Sequence, residues 1–70
     1  MKKYNYKKLK NRIRLYYDSQ ENFAKELNIT PISLNYKLNN RIRFSYEELE
    51  TIIKKLEIKP EEIQDIFFTV

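Results

Sequence analysis

Ser19-Gln20-Glu21-Asn22-Phe23-Ala24-Lys25-Glu26-Leu27, then Asn28-Ile29-Thr30, then Pro31-Ile32-Ser33-Leu34-Asn35-Tyr36-Lys37-Leu38-Asn39-Asn40, is the stretch of this 70-residue chain that decides its fold. It reads as two short helices pinched around a three-residue turn, a helix-turn-helix over about residues 19–39. Ala24 is small enough to let two helix axes cross closely, and Asn28 supplies a left-handed turn. Ile29 plugs the wedge between the helices, and Leu34 sits on the inner side of the second. An ordinary helical hairpin has no reason to hold these residue types at these offsets.

The turn chemistry agrees. The chain has no glycine, so every site needing positive φ falls to another residue, and Asn is the usual substitute. Asn28 follows Leu27, and the pair Asn39-Asn40 follows Leu38, so these asparagines are the natural C-terminal caps. Thr30 caps the start of the second helix, with Pro31 at its first position where a missing N–H costs nothing.

Outward from this unit, Tyr6, Leu9, Ile13 and either Tyr16 or Tyr17 recur at three- and four-residue intervals, which predicts a first helix over about Tyr6 to Tyr17. Asp18 and Ser19 compete to cap the second helix. After Asn40, charge and apolarity alternate through Arg41-Ile42-Arg43-Phe44; in an extended segment Ile42 and Phe44 point inward and both arginines outward. Ser45-Tyr46-Glu47-Glu48 is a capping box opening a fourth helix, with Leu49, Ile52, Ile53 and Leu56 as its buried stripe. Pro60-Glu61-Glu62 begins a fifth, with Ile63, Ile66 and Phe67 inward. The expected architecture is a compact all-α domain of five helices, residues 1–70 as one unit.

Composition removes whole classes of chemistry. Without cysteine or histidine there is no disulfide, no zinc finger and no thiolate or imidazole catalysis. Without glycine there is no phosphate-cradling loop. Glu47, Glu48, Glu50, Glu61 and Glu62 gather at predicted helix starts, where the macrodipole accounts for them. The chain is therefore expected to be no enzyme and to hold no metal or cofactor. No stretch approaches the roughly 20 apolar residues of a membrane span, and the N-terminus has no apolar signal core, so a cytoplasmic protein is expected. Residues 1–43 hold eleven Lys plus Arg against three acids, a net of +8, whereas residues 44–70 net −4. Such an asymmetry orients a molecule toward a polyanion.

The order of elements, with Gln20, Phe23-Ala24, Leu27-Asn28-Ile29-Thr30, Leu34 and Lys37-Leu38-Asn39-Asn40, resembles the small phage Cro and repressor proteins of the lambda-repressor-like helix-turn-helix class. The likeness runs from Tyr6 to Phe68, with Asn28 where that class usually has glycine and without its frequent Gln and Arg base readers. It implies a transcriptional regulator that occupies double-stranded operator DNA with the third helix in the major groove.

On a helical wheel of that third helix, Ile32, Tyr36 and Asn39 lie opposite Leu34 and Leu38, flanked by Ser33, Asn35 and Asn40. Base reading is thus assigned to Ile32, Ser33, Asn35, Tyr36 and Asn39, with Asn35 or Asn39 pairing an adenine edge and Ile32 meeting a thymine methyl. For phosphates the resemblance nominates Gln20 and the loop residues Asn39, Asn40, Arg41 and Arg43, and Lys2, Lys3, Lys10 and Arg14 add to the field. Duller readings stand beside these: Ile32 and Tyr36 packed on a neighbouring loop, Arg41 and Arg43 as solvated charges, Gln20 as a helix cap. Helix-turn-helix proteins generally double up on two half-sites, so a weak homodimer is expected. Ile58, Phe68 and Val70, apolar residues left over after the core is assigned, are its candidate interface. Exposed Ile32 and Tyr36 equally suit an alternative, a small phage modulator that binds a repressor protein through the same face. A basic helical module for RNA is a third reading.

Overall fold

Three of the helices end the same way, and that shared ending sets the path of the chain. In the computed structural model, which describes residues 3–70, helices run over Lys7–Tyr17 (α1), Gln20–Glu26 (α2), Pro31–Leu38 (α3), Tyr46–Lys55 (α4) and Ile63–Phe67 (α5), with a 3-10 turn at Pro60–Glu62 ahead of α5. No strand occurs among the described residues. After α2, α3 and α4 one residue takes positive φ: Asn28 at 56°, Asn40 at 64° and Glu57 at 52°. In each case the next residue's N–H reaches back to the carbonyl five before it: Ile29 to Ala24 at 3.2 Å, Arg41 to Tyr36 at 2.9 Å, Ile58 to Ile53 at 2.9 Å. The left-handed residue bonds the carbonyl three before it, so each ending is a Schellman motif. Without glycine, two asparagines and a glutamate do this work.

The starts are equally local. Ser19 accepts from the Asn22 N–H and Thr30 from the Ser33 N–H, each at 3.1 Å. Ser19, not Asp18, therefore caps α2. Asp18 instead closes α1 at φ 67°, with the Ser19 N–H 2.7 Å from the Tyr17 carbonyl, a strained three-residue turn. Ser45 and Glu48 form the expected reciprocal box at the start of α4, a cap that contributes about 1 kcal/mol.

The core follows from the apolar stripes. Leu9, Ile13, Phe23, Ala24, Leu27, Leu34, Leu38, Ile52, Leu56, Ile66 and Phe67 form one buried cluster, with Ile29, Phe44, Leu49, Ile53 and Ile63 packed against it. Fully burying a side chain of Leu or Phe size stabilises by about 1.5–3 kcal/mol. The radius of gyration, 11.0 Å, equals the roughly 11 Å of a globular chain of this length.

Two expectations fail here. Ile42 does not point inward; it is 46% exposed. The left-handed Asn40 folds Arg41 back onto α3, so the extended backbone needed for alternation starts only near Arg43. Ile58 is no surface leftover, since it is only 5% exposed and belongs to the core cluster. The turn at Glu57 swings it back over α4, where a contact with the residue five before it commonly accompanies such an ending.

One ion pair joins α3 to α4. The Lys37 ammonium lies 2.6 and 2.7 Å from the Glu48 carboxylate oxygens, with side chains 12% and 14% exposed. The same carboxylate accepts from the Ser45 N–H at 2.8 Å. Burial acts to raise the Glu48 carboxyl, but the hydrogen bonds from Lys37 and Ser45 and the lysine charge outweigh it. They hold the group below its ordinary value of 4.5.

A carboxylate depressed in the folded state contributes stability that is complete above its unfolded value and disappears as pH falls through the folded value. Stability against urea is thus expected to drop as pH is lowered from 4.5 through Glu48's depressed range, and Lys37→Met to shrink that drop. At neutral pH, Lys37→Met should cost about 2 kcal/mol, because it leaves a half-buried carboxylate without its counter-charge. Glu57→Gly should stabilise by about 0.5 kcal/mol, since relief of the left-handed strain slightly exceeds glycine's added freedom in the unfolded chain. A loss of stability in Glu57→Gly by urea titration would contradict the turn assignment.

Candidate functional site

The outward side of α3 is set by the two bonds that open it and the two leucines that anchor it. With Leu34 and Leu38 buried, Ile32 is 67% exposed and Tyr36 40%. Asn35 and Asn39 also face solvent. Ser33 is half-buried, and its hydroxyl accepts from Thr30 at 3.1 Å. The Asn39 amide donates to the Asn35 carbonyl at 2.9 Å and to the Asn35 side-chain oxygen at 3.2 Å. The two asparagines are therefore tied to one another, whereas a bidentate adenine contact needs both ends of one amide free. Arg41 stacks over the Tyr36 ring, 5.4 Å from its centroid, a contact made by the same chain reversal that ends the helix.

A groove of about 710 Å³ between α1, α2 and α3 brings together six residues assigned to nucleic-acid contact: Lys10, Arg14, Gln20, Ile32, Asn35 and Tyr36. Ile13 lies beneath them, and Asp18 and Glu21 stand at one end. These two acids were not singled out as part of this face; the position of Asp18 four residues after Arg14 and of Glu21 next to Gln20 was the available signal. Asn39 and Asn40 lie in a shallower cleft that also meets Lys10 and Arg14.

The remaining assigned residues separate. Asn40 is not available to a phosphate: its side-chain oxygen accepts from the Tyr4 N–H and its amide donates to the Tyr4 carbonyl, both at 2.8 Å. Its amide thus clamps the N-terminal arm, with the Asn5 N–H bonded to the Thr69 carbonyl on the other side. Arg43 faces a different, aromatic pocket of about 310 Å³ with Tyr4, Tyr6, Phe44 and Phe68. In the proposed dimer set, Phe68 and Val70 are exposed, Phe68 packing edge-on to Tyr4, and Ile58 is buried. Lys3 is exposed on the arm, and Lys2 lies outside the described residues. Leu15 and Tyr46, which sequence patterning passed over, are 77% and 85% exposed.

Part of the charge asymmetry is spent inside the molecule. Lys8 pairs with Asp65 at 3.5 Å, Arg12 with Glu62, and Lys37 with Glu48, each joining a cation of the basic half to an acid of the other. Arg12 also donates to the Leu56 carbonyl at 3.1 Å. A backbone bond from Lys59, then the Arg12 guanidinium, hold the Glu62 carboxyl below its ordinary range. Lys37 is the one cation within α3, so this helix offers no free positive charge.

No helix among the described residues is long and apolar enough to cross a membrane, and no group of acids converges as a metal site. Among curated proteins, none matches the chain. Among solved structures, the chain is similar to the modulator of repression (MOR) of the temperate bacteriophage TP901-1 from Lactococcus lactis, determined in solution. The two share 28% identity at a TM-score of 0.79, over 93% of this chain and 88% of that one. Residues 2–70 match the DUF739 family, described as a protein of unknown function. The chain belongs to the DUF739 family.

Proposed function

We propose that this chain is a phage modulator of repression that binds a repressor protein through the outward face of α3, in preference to the operator-reading role that its helix-turn-helix layout suggests. The observation that carries the reading is the chemistry of that face. Ile32 and Tyr36 are large and exposed, the Asn39 amide nitrogen is engaged by the Asn35 carbonyl and side-chain oxygens, and the helix's own lysine is neutralised by Glu48. Aromatic and aliphatic anchors suit a protein partner, whereas base readout draws on free amides and guanidinium groups. Support also comes from the likeness to a protein described as a modulator of repression. No catalytic step belongs to this reading, and its place of action is the cytoplasm of the infected cell.

The operator-binding reading keeps one observation in its favour, the cations Lys10 and Arg14 beside Gln20 on the rim of the same groove. The two separate by affinity and salt. Titration of the full chain with the repressor carried by the same genome, and with duplex fragments of its control region, is expected to give tight binding to the repressor alone. Ile32→Glu, at an exposed position that leaves the fold intact, should weaken the repressor complex at least about tenfold. Sequence-selective duplex binding that falls by about a thousandfold or more between 50 and 200 mM salt would establish the operator reading instead.

A further inference from the structure

We infer that the groove between α1 and α3 seats one amphipathic helix of the partner protein, with the partner's carboxylates toward Lys10 and Arg14 and its basic end toward Asp18 and Glu21. This rests on α3 being a protein-docking face and adds the shape and charge of what docks there. Lys10 and Arg14 stand one turn apart on the same side of α1, and Asp18, the residue that closes that helix, lines the same groove beyond them. From Lys10 to the end of the helix at Tyr17 this wall rises about 10 Å, roughly two turns. Its charges run positive, positive, negative, and Glu21 at the start of α2 reinforces the negative end. None of these four makes an ion pair with a described residue.

The opposite wall is largely apolar, built from Pro31, Ile32 and Tyr36 with the Asn35 amide among them, over the buried Ile13. One apolar wall facing one charge-graded wall is the complement of an amphipathic helix that carries its charges in two blocks. The gradient also fixes which way the helix lies, because reversing it sets like charges together at both ends. A nucleic-acid backbone is a uniform row of negative charge and gains nothing from a groove whose far end holds two carboxylates.

Charge reversal separates the occupants. Arg14→Glu and Glu21→Lys, both at exposed positions, are each expected to weaken the repressor complex about tenfold. On duplex DNA the two substitutions must act in opposite directions, Arg14→Glu weakening and Glu21→Lys tightening. As a defined probe, a stapled helix of about twelve residues with an apolar stripe, glutamates at one end and lysines at the other should bind the full chain. A peptide of the same composition with its charges alternating should bind several-fold more weakly. Equal affinity for the two peptides, no binding of either, or tighter repressor binding by Glu21→Lys would overturn the inference. If Ile32→Glu abolishes repressor binding while both reversals leave it unchanged, the docking face stands and the seated helix falls. If Ile32→Glu is without effect, the docking face itself falls.

Discussion

The carboxylate of Glu48 ties the start of α4 to α3. It closes the reciprocal cap with Ser45 that starts α4, and it takes the Lys37 ammonium from α3 at 2.6 Å. Because both side chains are largely covered, each charge leans on the other there. The consequence for α3 is double. The helix is locked against α4 at its C-terminal half, and its single cation is withdrawn from the surface. What remains outward is Ile32, Tyr36 and a pair of asparagines bonded to each other. The electrostatics of the fold thus decide the chemistry of the exposed face.

The chain reversals supply the second constraint. Three helices end in a Schellman turn on a left-handed residue that is not glycine, and each ending delivers its successor to a different use. Ile29 goes back into the wedge between α2 and α3, Ile58 into the core, and Arg41 onto the ring of Tyr36. Asn40 does more than turn the chain. Its amide fastens the N-terminal arm beside the C-terminal residues, where Tyr4 meets Phe68. The aromatic pocket near Arg43 is assembled by that arm.

Much of this was legible because it is local. Asn28, Thr30-Pro31 and Ser45 to Glu48 announce their turns and caps within four residues, and the stripes of α1 and α4 follow the helical repeat. The failures lie where a distant contact or an unsuspected turn overrides a local pattern. The alternation at Arg41 to Phe44 reads as extended, but the reversal at Asn40 consumes its first half, and Ile42 ends exposed. Ile58 looked spare because a glutamate is a poor advertisement for a left-handed turn. The Asn40 clamp joins residues 36 apart in sequence, and the pairing of Lys37 with Glu48 needs the angle between two helices. At the candidate site, Ile32 and Tyr36 were visible on a helical wheel; the loss of Asn39 and Asn40 to internal bonds was not. Asp18 was weighed only as a helix cap and Glu21 was given no role, and only the packing of α2 against both α1 and α3 brings them into one groove.

Two features meet in this molecule: a helical order whose sequence reading pointed to DNA, and an outward face of α3 whose anchors, Ile32 and Tyr36, carry no charge. Their separation turns on which atoms of α3 a partner touches. Amide chemical-shift mapping of the full chain during titration with the proposed repressor partner tests this most directly. The account predicts perturbations concentrated on Ile32, Asn35, Tyr36 and the facing turn of α1 around Arg14. Perturbations confined to α4 and α5, with the α3 resonances unmoved, would contradict it.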